Sequence, residues 1–175
     1  MKIVVFASGR GSNFKAIVEN IESGALTNVE VSLLLSNKPE ANVLAYAAEK
    51  GIPHVCVDEK QFASREAYEE AVLAEVKKVR CNLVVLAGYM KILGADFLAN
   101  VGCPVVNIHP SLLPSFPGLH AQKQAVDYGV KVSGCTVHFV DAELDHGPII
   151  AQVPVPVEDG DDEDSLSARI LVQEH

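Results

Sequence analysis

The sequence lacks the features that mark membrane, nucleic-acid-binding and exported proteins. It has no tryptophan, and no apolar run approaches the ~20 residues that a membrane span needs. Its first residues show no signal-peptide cleavage pattern, so we expect a cytoplasmic protein that makes no membrane contact. The 14 basic and 23 acidic residues give a net charge of −9. Lys and Arg form no cluster, which argues against nucleic acid as a partner.

Cysteine and histidine are sparse and scattered. The four cysteines include no CxxC pair, and we interpret them as reduced core residues rather than as disulfides or metal ligands. The six histidines show no HxxxH or similar spacing, which disfavours a structural zinc site and favours a mechanism without metal. The length of 175 residues, 49% of them hydrophobic, predicts a single domain over residues 1–175.

Short apolar runs alternate with amphipathic stretches along most of the chain. Runs such as IVVFA and LVVLA are typical of strands buried on both faces of a parallel sheet. The expected fold is therefore α/β, a Rossmann-like and mostly parallel sheet with helices on both faces. Two longer strands in the last third, separated by a polar loop, predict an antiparallel C-terminal extension.

The boundaries of these elements follow from the periodicity of apolar residues. The predicted strands are Ile3–Ala7, Val29–Leu35, His54–Val57, Leu83–Ala87, Val105–His109, Lys131–Val140 and Ile149–Val157. The predicted helices are Asn13–Glu22, Asn42–Lys50, Ser64–Val79 and His120–Tyr128. The acidic run Glu158–Asp164 lacks the ligand spacing of a calcium loop and predicts the start of one more helix.

The turn SGRGSN, residues 8–13, follows the first strand and opens the first helix, where backbone N–H groups can bind a phosphate. Phe14 replaces the third glycine of a dinucleotide fingerprint, and the second strand ends in Ser36 and Asn37 rather than in a ribose-binding acid, so NAD is disfavoured. A Walker ending is also missing, so ATP hydrolysis has no support. A monophosphate is the expected ligand, and the alternative is a turn selected only for its tight geometry.

The segment VVNIHPSLLPSFPGLH, residues 105–120, carries the most chemical information. Asn107 and His109 share one face of a strand, and an amide with a protonatable imidazole suits an oxyanion. Pro110 takes the chain out of the sheet, into a proline-rich loop that could line a pocket. Asp145, in ELDHGP, would favour the imidazolium form of His109 if the two meet. The alternative is that Asn107 and His109 only form hydrogen bonds within a turn at the end of the strand.

These motifs, with VVLAGYMKIL, GCTVHFVDAELDHGPII and the terminal ARILVQEH, resemble the folate-dependent formyltransferases. The motif PGLHA followed by Gln124 resembles those members that act on glycinamide ribonucleotide, and the resemblance spans nearly every residue. It implies the formyltransferase fold and transfer of the formyl group of 10-formyltetrahydrofolate to the amine of glycinamide ribonucleotide, in purine biosynthesis. It further implies small-molecule substrates, no metal, no nucleoside triphosphate and a possible homodimer.

The same resemblance implies roles for individual residues. Asn107 and His109 would hold the formyl oxygen, and Asp145 would keep His109 protonated and help to move protons. The expected substrate contacts are Gly11, Ser12 and Asn13 for the phosphate and Glu174 for the ribose side. The expected folate contacts are Arg65, Met90, Lys91, Ile92, Leu93, Asn107, Asp141, Ala142, Glu143, Leu144 and Asp145. Lys91 stands where many relatives have arginine, so it keeps the charge but loses the planar fork for a carboxylate.

Two further functions stay open beside this one. The first is another reaction of 10-formyltetrahydrofolate, either methionyl-tRNA formylation, which would need a basic domain after this one, or hydrolysis, which usually needs a regulatory domain before it. The second is a non-catalytic folate or nucleotide sensor, which would tolerate loss of His109. His138, in GCTVHFV, is interpreted as a residue behind the site. The family chain normally continues past His175, so the domain is expected to be cut short at its C-terminus.

Overall fold

The computed structural model describes residues 1–175 and divides into two compact units, Met1–Val105 and Val106–His175. The strands are β1 (Lys2–Phe6), β2 (Glu30–Ser36), β3 (His54–Cys56), β4 (Leu83–Leu86), β5 (Val105–His109), β6 (Val132–Phe139) and β7 (Ile149–Pro156). The helices are α1 (Ser12–Glu22), α2 (Asn42–Glu49), α3 (Arg65–Lys77), α4 (Ala95–Asn100), α5 (Ala121–Tyr128) and α6 (Glu163–Glu174), and a 3-10 turn spans Glu59–Gln61.

The first unit is a parallel sheet with helices on both faces. Its strands lie in the order β3-β2-β1-β4, and each neighbouring pair is parallel. Successive residues of a strand point to opposite faces. Ile3 of β1 packs with Phe14 of α1 and Val43 of α2. Phe6, on the opposite face, contacts Phe97 of α4 edge-on, with ring centroids 6.2 Å apart.

Ser8 joins the carboxyl ends of three strands of this sheet. Its backbone N–H donates to the carbonyl of Gly88 after β4 at 3.1 Å. Its hydroxyl donates to Asn37 Oδ1 after β2 at 2.5 Å and accepts the backbone N–H of Met90 at 2.8 Å. Ser8 is buried, so this first residue of the SGRGSN turn holds strand ends together rather than facing a ligand.

The second unit contains three antiparallel strands in the order β5-β6-β7. β6 and β7 form a hairpin that closes with a hydrogen bond from the Phe139 N–H to the Pro148 carbonyl at 2.9 Å. The predicted antiparallel extension is therefore confirmed. Its core combines side chains from α5, β6, β7 and α6, namely Ala125, Cys135, Val155, Leu166 and Ile170.

The predicted strands and helices end within two residues of those observed, and β5 matches at both ends. The structure adds α4 and the 3-10 turn at Glu59–Gln61, which are too short to show a helical period in the sequence. The acidic run begins α6 as predicted, because the Asp162 carboxylate accepts the Ser165 N–H at 2.8 Å as a helix cap. No helix combines the length and apolar character needed to cross a bilayer.

The interpretation of the cysteines as core residues is wrong for three of the four. Cys81 and Cys103 are half-buried rather than core residues, and their sulfurs lie 2.8 Å apart. Cys56 is also half-buried, whereas Cys135 lies in the core of the second unit. The error arose because parallel strands bring together loops that are distant in sequence, and spacing alone does not show this.

Leu166 tests how far α6 depends on the core of the second unit. Its side chain is fully buried, and we expect Leu166→Ala to lower the free energy of unfolding by about 3 kcal/mol, since it removes apolar contacts and leaves a cavity. Val172→Ala, on the exposed face of the same helix, should change it by less than about 0.5 kcal/mol. Urea unfolding measures both values, and equal losses would contradict the packing of α6.

Candidate functional site

The candidate site lies in the second unit, at the carboxyl end of β5. Asn107 and His109 are two residues apart on this strand, so their side chains share a face. In the pairing of β5 with β6, Asn107 lies opposite His138 and His109 lies opposite Thr136. His109 is 5% exposed and His138 is 2% exposed, so both imidazoles are shielded from bulk water.

Asp145 reaches β5 from the hairpin loop, residues 141–147, between β6 and β7. Its Oδ2 atom lies 3.3 Å from His109 Nδ1 and accepts the Gly118 N–H at 2.8 Å. Its Oδ1 atom lies 3.9 Å from His138 Nε2. The φ angle of Asp145 is +50°, a left-handed conformation that is unfavourable for a residue with a Cβ. The structure thus brings together the three side chains that the sequence predicted to converge.

Both ring nitrogens of His109 face hydrogen-bond acceptors. Nε2 lies 2.9 Å from the carbonyl oxygen of Phe116, and because a carbonyl can only accept, Nε2 carries a hydrogen. Nδ1 faces the Asp145 carboxylate, which in its ionised form also only accepts. The imidazolium form of His109 satisfies both contacts, whereas the neutral ring can donate to only one of them.

His138 has the opposite arrangement. Its Nδ1 atom lies 2.9 Å from the carbonyl oxygen of Phe139, so Nδ1 is the donor. Its Nε2 atom lies 3.2 Å from Asn107 Nδ2, and an amide nitrogen only donates, so Nε2 is the acceptor in this contact. His138 therefore fixes the orientation of the Asn107 amide and leaves the second hydrogen of that amide for a ligand. The sequence pointed to His138 as a supporting residue but not to this contact.

The proline loop, residues 110–120, supplies two main-chain groups to the site, and the strands behind it hold it in place. The Thr136 hydroxyl donates to the Ser111 carbonyl at 2.6 Å and accepts the Leu113 N–H at 3.1 Å. The Gln152 side chain donates to the Leu113 carbonyl at 2.9 Å. Sequence reasoning missed the Phe116 carbonyl, which faces His109, and the Gly118 N–H, which donates to Asp145. Nearly every residue carries these main-chain groups, so the sequence does not show which of them take part in a site.

An open cleft of about 280 Å³ adjoins Asp145. Leu113, Leu144 and Ile149 contribute apolar side chains to it, and Asp145 and His146 contribute polar ones. A mostly apolar cleft with a few fixed polar groups is typical of a site for a small organic ligand. The cleft therefore lies beside Asp145, one of the three converging side chains.

In the first unit, two of the predicted folate contacts lie together. Arg65 Nη2 donates to the carbonyl of Ile92 at 3.1 Å. Met90 and Ile92 are both more than half exposed, whereas Leu93 is buried beneath them. Lys91 forms an ion pair with Glu59 that sequence reasoning missed. The charge of Lys91, which was expected to meet the carboxylate tail of a folate, is thus already paired with Glu59 of the same unit.

The predicted phosphate contacts lie at the start of α1. Gly11 precedes the helix with a φ of +75°, and a side chain there would overlap Val43, so this position requires glycine. Ser12 and Asn13 form the first turn of α1. The first N–H groups of a helix point along its axis toward a possible anion, which suits the predicted role.

The last of the predicted contacts, Glu174 and Ala142, both lie in the second unit. Glu174 is in the last turn of α6. Burial raises the pKa of the Cys135 thiol of β6, and the charge of Glu174 adds to this effect. Ala142 is exposed in the hairpin loop. The structure thus places Glu174 near the core of α6 and β6, and Ala142 in the loop that carries Asp145.

An ion cluster ties the start of the hairpin loop to its end. His146 Nδ1 lies 2.9 Å from Asp141 Oδ2, and His146 Nε2 lies 3.8 Å from Glu143 Oε2. The hydrogen bond to Asp141 and the charge of Glu143 raise the pKa of His146. The hydrogen bond to His146 and the Glu143 N–H lower the pKa of Asp141. The loop that carries Asp145 is therefore held by groups whose charge depends on pH.

Comparisons with known proteins identify similar chains. The family described as formyl transferase matches residues 1–175. The phosphoribosylglycinamide formyltransferase of Escherichia coli K12 is 43% identical over 175 residues, 100% of this chain and 82% of that protein. The trifunctional purine biosynthetic protein adenosine-3 of Drosophila melanogaster is 46% identical over 175 residues, and the match covers 99% of this chain but only 13% of that protein.

A solved structure shows the same fold. The crystal structure of glycinamide ribonucleotide transformylase 1 from Symbiobacterium toebii matches with a TM-score of 0.96 and 42% sequence identity, over 100% of this chain and 82% of that chain. This similarity confirms the predicted α/β class with its antiparallel C-terminal extension.

The ion cluster of the hairpin loop predicts how order in this loop depends on pH. The contribution of His146 is complete below its ordinary pKa of 6.5 and is lost as pH rises through its raised pKa. The contribution of Asp141 is complete above 3.8 and is lost as pH falls through its lowered pKa. We expect hydrogen exchange in residues 141–147, corrected for its intrinsic pH dependence, to be faster at about pH 9 than at about pH 6.

The control for this measurement is a histidine outside the cluster. His146→Gln should remove the difference between the two pH values. His54→Gln, which changes an exposed histidine of β3, should preserve it. Equal exchange at both pH values in the parent protein, or the same difference in His146→Gln, would show that the cluster does not order the loop.

Proposed function

Because the chain belongs to the family of phosphoribosylglycinamide formyltransferases, we propose that it transfers the formyl group of 10-formyltetrahydrofolate to the amine of glycinamide ribonucleotide. The observation that carries the proposal is the convergence of Asn107, His109 and Asp145 at the carboxyl end of β5 beside an apolar cleft. Attack by an amine on a formyl carbon places negative charge on the formyl oxygen. Donors fixed in advance stabilise such charge at little reorganisation cost.

Asn107 and His109 are the donors in this proposal. The Asn107 amide is oriented by His138 and keeps one N–H for the formyl oxygen. His109, as imidazolium, provides the second hydrogen, but the Phe116 carbonyl accepts the hydrogen of Nε2 at 2.9 Å. A substrate oxygen that binds at Nε2 must therefore replace this carbonyl. Each well-placed donor contributes roughly 3 kcal/mol of transition-state stabilisation.

Asp145 supports the movement of protons in this proposal. The attacking amine must lose a proton, and the folate nitrogen that leaves must gain one. The Asp145 side chain is 9% exposed and lies 3.3 Å from His109 Nδ1, so it stabilises the charged imidazole and can accept a proton beside it. The pair keeps an acid and a base within one shielded site.

The proposed binding residues belong to both units. The cleft beside Asp145 suits the flat ring system of a folate, because apolar side chains line it and fixed polar groups stand at its rim. We assign to the folate the predicted contacts from Arg65 to Leu93 and those of the hairpin loop. We assign the phosphate to Gly11, Ser12 and Asn13 and the ribose to Glu174. Homodimer formation stays a prediction.

A turnover assay tests the proposal. Purified protein is mixed with 10-formyltetrahydrofolate and glycinamide ribonucleotide, and the appearance of tetrahydrofolate is followed. We expect turnover that depends on the ribonucleotide, and none when His109 is changed to alanine. Absence of turnover, or the same rate without the ribonucleotide, would overturn the assignment, and the second result would indicate a hydrolase.

The donor role of Asn107 is tested by a matched pair of asparagine variants. We expect Asn107→Ala to lower kcat about a hundredfold, because one donor to the formyl oxygen is lost. Asn100→Ala removes an amide that donates to the Asp96 carbonyl within α4 and should leave kcat unchanged. Steady-state kinetics measure both, and a near-normal kcat for Asn107→Ala would remove this residue from the oxyanion site.

His138 is proposed to position Asn107 rather than to react. His138→Leu removes the acceptor that orients the amide, so we expect kcat to fall roughly tenfold while KM stays nearly constant. His138→Gln can place an amide oxygen near the position of Nε2 and should restore much of the rate. Equal losses in both variants, or a change confined to KM, would contradict the positioning role.

A further inference from the structure

Two cysteines of the first unit meet outside the regions assigned to substrates. Cys81 lies in the loop between α3 and β4, and Cys103 lies in the loop between α4 and β5. They are 22 positions apart, and their sulfurs are 2.8 Å from each other. Both residues are half-buried, which leaves each of them partly accessible to solvent.

Main-chain hydrogen bonds hold the two loops in this position. Residues next to each cysteine take part, since the Asn82 N–H donates to the Lys2 carbonyl at 2.8 Å and the Val84 N–H donates to the Pro104 carbonyl at 2.9 Å. The Asn82 side chain also accepts the Lys2 N–H at 2.8 Å. The close approach of the sulfurs therefore follows from the backbone as well as from side-chain rotation.

The separation of the two sulfurs is close to that of a covalent bond. A disulfide bond is about 2.05 Å long, so bonding requires the sulfurs, now 2.8 Å apart, to move by less than about 1 Å. Pairs that need backbone movement to reach this length resist oxidation, and this pair needs little. Cys56 and Cys135 are free cysteines as well, and they serve as internal comparisons.

We propose that Cys81 and Cys103 form a site of reversible oxidative modification that reacts with a two-electron oxidant of the peroxide class. One of the two sulfurs takes one oxygen from hydrogen peroxide, which releases one water and leaves a sulfenic acid. The other sulfur then displaces the hydroxyl group, which releases a second water and forms the disulfide. The two thiols lose two electrons and two protons in total, and the peroxide is reduced to water.

The bond would close a covalent ring around β4, residues 88–93 and α4. A disulfide stabilises a fold mainly by restricting the unfolded chain. Cys81 lies before the amino end of β4 and Cys103 lies before the amino end of β5, whereas residues 88–93 follow the carboxyl end of β4. Oxidation should thus restrain the segment that carries Met90 and Ile92 without placing a sulfur next to them.

The test uses hydrogen peroxide on the purified parent protein. We expect intact mass spectrometry to show the loss of two hydrogens, and peptide mapping to show Cys81 joined to Cys103. The melting temperature should rise by about 5–10 °C and return to its first value after reduction with dithiothreitol. Cys81→Ser and Cys103→Ser should show neither change, whereas Cys56→Ser should show both.

Other outcomes would overturn the proposal. These are added oxygen without loss of hydrogens, a crosslink that includes Cys56 or Cys135, or a reversible rise in melting temperature that persists in Cys81→Ser. If either serine variant fails to fold, the peptide map of the parent protein decides the question alone. Formyl transfer is not measured in this test, so its result is independent of the proposed function.

Discussion

The carboxylate of Asp145 accepts the N–H of Gly118 at 2.8 Å and faces Nδ1 of His109 at 3.3 Å. It therefore connects the hairpin loop, the proline loop and β5 at one point of the second unit. A carboxylate this shielded from water keeps its charge only when donors surround it. Asp145 makes these contacts from a left-handed backbone conformation, which Asp adopts more readily than most residues with a Cβ.

Main-chain carbonyls fix which ring nitrogen carries a hydrogen in each of the two histidines of the site. The carbonyl of Phe116 requires a hydrogen on Nε2 of His109, and the carbonyl of Phe139 requires one on Nδ1 of His138. The second nitrogen of His109 meets a carboxylate, whereas that of His138 meets the amide of Asn107. Two similar side chains on neighbouring strands thus use Nε2 differently, because it donates in His109 and accepts in His138. The surrounding backbone, rather than the residue type, makes this distinction.

The sequence predicted the elements and part of the site because both depend on local patterns. Alternation along Val105–His109 placed the amide and the imidazole on one face, and apolar periodicity found every long helix and strand. The contact of His138 with Asn107 depends on strand register, and the role of Phe116 depends on a carbonyl that any residue would carry. The pair Cys81 and Cys103 depends on which loops become neighbours. Such facts belong to the assembled chain and leave no pattern in a single segment.

The carbonyl over His109 Nε2 also affects how ligand affinity should be interpreted. A hydrogen bond inside a shielded site must be broken before any ligand oxygen can take its place. The loss of this hydrogen bond then offsets part of the free energy of the new contacts. The dissociation constant of a ligand that binds there would therefore understate the strength of its contact with the imidazole. In the proposed mechanism, the same carbonyl also keeps water from that hydrogen until a ligand replaces it.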